Sequence, residues 1–138
     1  MAVEILNRQR RYAIQTANLS RIADAVLDDR RRAGSDLSIV VTNDARLRAL
    51  NRDYRDKDRP TDVLSFPYEE EDGPIGDVII SIDRAVAQAE AQSHSLQREL
   101  EILTLHGTLH VCGYDHETDD GQMDRIERRL RNRLLTPE

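Results

Sequence analysis

The stretch Ser95–His116, SLQRELEILTLHGTLHVCGYDH, organises the reading of this chain. Ile102, Leu105, Leu109 and Cys112 recur at steps of three and four, the period of a helix with one apolar stripe. Ser95 is a residue type that caps a helix at its start, and Gly113 one that ends it. The spacing predicts a helix from Ser95 to about Cys112. His106 and His110 lie about a quarter-turn from the stripe, separated by ~40° of azimuth and ~6 Å of rise. Two imidazoles so placed can converge on one ion. Gly113 lets the chain leave the helix sharply, and a tight Tyr114–Asp115 turn can swing His116 back to the pair. Three neutral imidazoles with an open fourth position form the ligand set of catalytic zinc. A lone histidine is more often an edge or surface residue, and His94 is read that way. Three at this spacing outweigh that reading.

Outward from this helix the chain falls into short periodic segments. Ala2–Leu6, Leu37–Val41, Val63–Pro67 and Val78–Ile82 carry strand patterns, and an acidic turn separates the last two. Tyr12 to about Arg32 is amphipathic, with Gly34 behind it. Asn43 caps a helix ending near Tyr54, Asp83–Gln92 is a short alanine-rich helix, and Gln122–Leu135 is an arginine-rich one. Three to four strands among four to five helices predict an α+β fold (an α/β sandwich). Its small sheet is mostly parallel or mixed, and the metal site sits on a central helix. With neither repeat nor linker, residues 1–138 read as a single domain.

Composition narrows the function classes. The 26 acidic and 20 basic residues leave a net charge of −6, which argues against an evenly basic coat for nucleic acid but not against a local basic groove. One cysteine, Cys112, rules out an intrachain disulfide framework, and its azimuth places it with the core. No apolar run approaches the ~20 residues of a membrane span, and the first twelve residues lack the order of a signal peptide. A cytoplasmic protein is the expectation.

The histidine spacing matches the zinc-peptidase pattern H-E-x-x-H-x-x-G-x-x-H at every ligand and at the turn glycine. Gly107 replaces the glutamate that takes a proton from zinc-bound water, so peptide hydrolysis is disfavoured. Around Arg55 lie Arg46, Arg48, Arg52, Lys57 and Arg59, a possible phosphate track; for all but Arg55 a solvated helix face is the preferred reading. Asp62 reads as turn or cap chemistry. Asp77 and Asp115 divide between turn roles and support of a ligand histidine.

The run His-Gly-x-Leu-His-x-x-Gly-Tyr-Asp-His from His106 to His116 resembles the signature of the YbeY family of bacterial rRNA maturation factors. A second block matches too: Asn51, Tyr54-Arg55, Thr61-Asp62-Val63-Leu64-Ser65-Phe66-Pro67 and Gly76-Asp77-Val78, with Met123 and Glu127 in the tail. The resemblance spans about Leu37 to Leu135. It implies a metal-dependent, single-strand-specific endoribonuclease in 16S rRNA 3′-end maturation and ribosome quality control. It further implies one zinc on His106, His110 and His116, and an arginine at position 55 needed for activity. The implied partners are single-stranded rRNA and the small ribosomal subunit, with no organic cofactor. The attacking group stays open between activated water and the RNA's own 2′-OH. Two other readings stand beside this one: a zinc-dependent hydrolase of amide or ester substrates, and a non-catalytic ribosome-assembly factor with a structural zinc.

Overall fold

Strict alternation builds the sheet. In the computed structural model Leu37, Ile39 and Val41 are buried, as are Val78 and Ile80 of a neighbouring strand, and all point to one face. Residues 3–55, 62–68, 74–115 and 118–135 are described, the side chains of Tyr54 and Arg55 excepted. In chain order the elements are β1 (Val3–Asn7), α1 (Thr16–Asp29), β2 (Leu37–Thr42), α2 (Asp44–Arg55), β3 (Val63–Pro67), β4 (Gly76–Ser81), α3 (Ile82–Gln92), α4 (Leu96–Val111) and α5 (Gln122–Leu134). The sheet order is β1-β2-β4-β3. β1, β2 and β4 run parallel, while β3 pairs antiparallel with β4, Val63 opposite Ile80 and Pro67 opposite Gly76. The expected mixed sheet and single α+β domain are what the chain forms.

α4 is the central helix, and it is two-faced. Leu100, Leu103 and Val111 join the sheet's core, while Ile102, Leu105 and Leu109 pack with Ile22 and Val26 of α1 and Met123 and Leu130 of α5. Of the apolar stripe read from the sequence, Ile102, Leu105 and Leu109 thus meet α1 and α5, while Cys112 lies against the sheet's core. Ser95 accepts a hydrogen bond from the Arg98 N–H and starts the helix as expected. At its end Gly113 takes φ +102, a conformation that favours glycine, and its N–H bonds to the His110 carbonyl.

Several boundaries differ from expectation, and two of the differences have a visible cause. α1 begins at Thr16 rather than Tyr12, because the Gln97 side chain accepts from the Gln15 N–H and donates to the Gln15 carbonyl, holding that segment extended. Ile82 belongs to α3 rather than to the strand, since Ser81 caps that helix by accepting from the Arg84 N–H. Asn43 caps α2 as predicted, its side chain accepting from the Arg46 N–H. Among the described residues no helix is long and apolar enough to cross a membrane.

Candidate functional site

His106 and His110 stand one turn apart near the end of α4, both half-buried. Their ring centroids are 4.8 Å apart with the planes at 73°, an edge-on pair. On the helical wheel they fall between the residues that meet α5 and those that meet the sheet. α5 supplies a partner: Glu127 Oε1 lies 2.5 Å from His106 Nδ1. Two neighbouring imidazoles, one meeting a carboxylate at Nδ1, are residues that could hold a metal ion. His116, the third expected ligand, lies outside the described residues. Among those residues no group of three candidate ligands assembles.

Gly107 separates the two histidines for a packing reason. A Cβ there would sit 2.6 Å from Val78 Cγ1 and 3.2 Å from Val63 Cγ2. The helix therefore packs tightly on the sheet through this position, and the Ser65 hydroxyl donates to the Gly107 carbonyl at 3.0 Å. The position that holds the general base in zinc peptidases has no room for one here.

Arg55 closes α2, and its side chain lies outside the described residues, as do Lys57 and Arg59. Arg46 and Arg8 line a cleft of about 690 Å³ on the sheet face opposite the buried one, over Val40 and Ile79. Asp77, at the start of β4, also lines it and accepts the Tyr68 hydroxyl. Sequence reading missed this cleft, because alternate strand residues and α2 meet there only in the fold. Asp62 does turn chemistry as expected: it accepts from the Val63 N–H at 2.8 Å and from Gln88 at 3.1 Å. The Asp115 carbonyl accepts from the Thr118 N–H, which is turn formation.

Two other assignments need revision. His94 is not a plain surface residue: its Nε2 lies 2.6 Å from Glu99, whose side chain is 6% exposed. Cys112 caps α4 at the edge of the sheet's core, not within the Leu105–Leu109 stripe. Burial pushes its thiol upward in pKa, away from the thiolate form that binds metals. Arg129 and Arg133 of α5 both reach Asp29 at the end of α1. Tyr114 packs over the turn, with its hydroxyl accepting from Arg30 at 2.7 Å.

Comparison with known proteins follows the same lines. The family profile described as Endoribonuclease YbeY matches residues 4–135. The Endoribonuclease YbeY of Geobacter sulfurreducens is 43% identical over 138 residues, covering 95% of this chain and 92% of the relative. That of Solibacter usitatus is 50% identical over 105 residues, covering 75% and 69%. Among solved structures, the solution structure of the Thermotoga maritima protein TM1509 superposes with a TM-score of 0.67 at 25% identity, covering 96% of this chain and 88% of that one.

Proposed function

The chain belongs to the endoribonuclease YbeY family, and from that membership we propose that it cleaves single-stranded RNA in a metal-dependent reaction. The proposed substrate is the 3′ region of small-subunit rRNA in the cytoplasm, and the whole chain acts as one domain. The observation that carries the metal half of this reading is the His106–His110 pair with Glu127 behind it. His106, His110 and His116 are the proposed ligands, and three neutral nitrogen donors with an open position suit zinc. A bound zinc ion would supply positive charge to the scissile phosphodiester.

The chain's own residues do the rest. The imidazoles would hold the ion as neutral bases. Arg55 is proposed to grip a phosphate oxygen pair with its planar fork and to stabilise charge that builds up there in the transition state. Hydrolysis of amides or esters draws no support from the packed environment of Gly107.

The test is cleavage of a 3′-extended small-subunit rRNA fragment by zinc-loaded protein, by protein treated with chelator, and by a His110→Ala variant. Cleavage by the first alone is expected. Equal cleavage by all three would overturn the metal assignment, and no cleavage by any would overturn the substrate. Zinc retained without any cleavage would favour the assembly-factor reading.

A further inference from the structure

We propose that Glu127 is the positioning residue that prepares His106 for metal, by holding the imidazole in the tautomer whose lone pair lies on Nε2. The proposal rests on the metal reading above and adds a residue from a different helix to it.

Glu127 Oε1 and His106 Nδ1 are 2.5 Å apart, with the side chains 16% and 25% exposed. A carboxylate near neutral pH only accepts hydrogen bonds, so in this contact the hydrogen belongs to Nδ1. A neutral imidazole has one N–H; placing it on Nδ1 turns the lone pair onto Nε2. Free histidine favours the opposite tautomer, so the carboxylate reverses the ring's own preference. It also fixes the ring plane, against which His110 lies edge-on.

The position of Glu127 on α5 argues for a purpose beyond docking. Met123 and Leu130, seven residues apart, are 1% and 0% exposed and anchor α5 against α4. Glu127 stands between them on the same side of the helix. An apolar residue there would extend the buried stripe, whereas a carboxylate costs desolvation and repays it only through a partner. His106 is one such partner.

The rival is an ordinary ion pair that merely ties α5 to α4, and two measurements separate the two. Histidine-selective ¹⁵N labelling of the metal-free protein at pH 8 reads the tautomer of each ring through two-bond correlations. Zinc affinity is read by competition with a chromophoric chelator. The wild type should show His106 with its hydrogen on Nδ1. Glu127→Ala should shift that ring toward the Nε2–H form and weaken zinc binding ~10–100-fold. Glu127→Gln, whose amide oxygen still accepts from Nδ1, should restore the tautomer and most of the affinity. A Glu127→Ala variant that melts lower yet keeps tautomer and zinc affinity would overturn the proposal. So would a wild-type His106 with its hydrogen on Nε2, a result that needs no variant to fold. If the wild type takes up no zinc at all, the metal reading itself falls, and this proposal with it.

Discussion

An arginine and a lysine carry the same charge, and at position 55 the difference between them is the measurement that matters. The proposed role of Arg55 is bidentate: two N–H groups of a rigid fork on two phosphate oxygens. Arg55→Ala should therefore lower RNA cleavage by ~10²–10³-fold, the scale of losing one transition-state donor, with zinc content and melting temperature unchanged. Arg55→Lys should recover only part of the loss, because a point charge keeps the attraction and forfeits the geometry. Wild-type turnover in Arg55→Ala would reduce this residue to a surface ion pair, a class that contributes ~0–1 kcal/mol and nothing to chemistry. Single-turnover cleavage of a short single-stranded RNA decides it.

Two contacts between elements hold the site in place, and each makes a prediction. The first is the approach of α4 to the sheet at Gly107. Alanine there gains ~1 kcal/mol of helix propensity, yet its Cβ would lie 2.6 Å from a methyl of buried Val78. Overpacking of that kind costs ~1–3 kcal/mol, because a stiff β-branched side chain inside a sheet core has nowhere to move. Gly107→Ala should lose up to ~2 kcal/mol by urea denaturation, the overpacking cost less the propensity gain. Gly107→Glu should lose more and bring no peptidase activity despite completing the peptidase motif.

The second contact is the clasp of α5 on α1. Asp29, with a side chain 9% exposed, receives two parallel hydrogen bonds from Arg129 and others from Arg30 and Arg133. The hydrogen bond from Arg129, helped by the charges of Arg129 and Arg30, holds its carboxyl below the usual range despite partial burial. A lowered folded-state pKa means that the stabilisation is present above the unfolded value of ~3.9 and is lost as pH falls through the folded one. Stability should thus decline below about pH 4 more steeply in the wild type than in Asp29→Asn. Near neutral pH that variant should be ~1–2 kcal/mol less stable, a figure set low because Arg129 is 51% exposed and screened. Parallel acid titrations of the two proteins by circular dichroism check the sign. Identical acid transitions would remove Asp29 from the account.

Across the whole molecule, what could be read from the sequence is what depends on near neighbours in the chain. Period-two alternation marked the strands, period-three-and-four stripes marked the helices, and Ser95, Asn43 and Gly113 marked ends, because caps and turns are made within a few residues. The paired histidines of α4 belong to the same class, since one helical turn brings them together whatever surrounds them. Contacts between distant segments were decided by tertiary structure alone. The chain order of segments is compatible with several sheet orders, and only packing puts β4 beside β2 and leaves β3 antiparallel at the edge. The second buried face of α4 is similar: Leu100, Leu103 and Val111 look like scattered apolar residues until a sheet covers them. Glu127 meets His106 across 21 residues, Asp29 meets Arg129 across 100, and Asp77 faces a cleft built by strands far apart in sequence. Hydrogen bonds and charge pairs of that kind have no periodicity to read, because the partner is chosen by where the folded backbone passes. The chain by itself thus determined that His106 and His110 share one face of a helix, and the fold decided which carboxylate stands behind His106, which glycine lets α4 reach the sheet, and which aspartate fastens α5 in place.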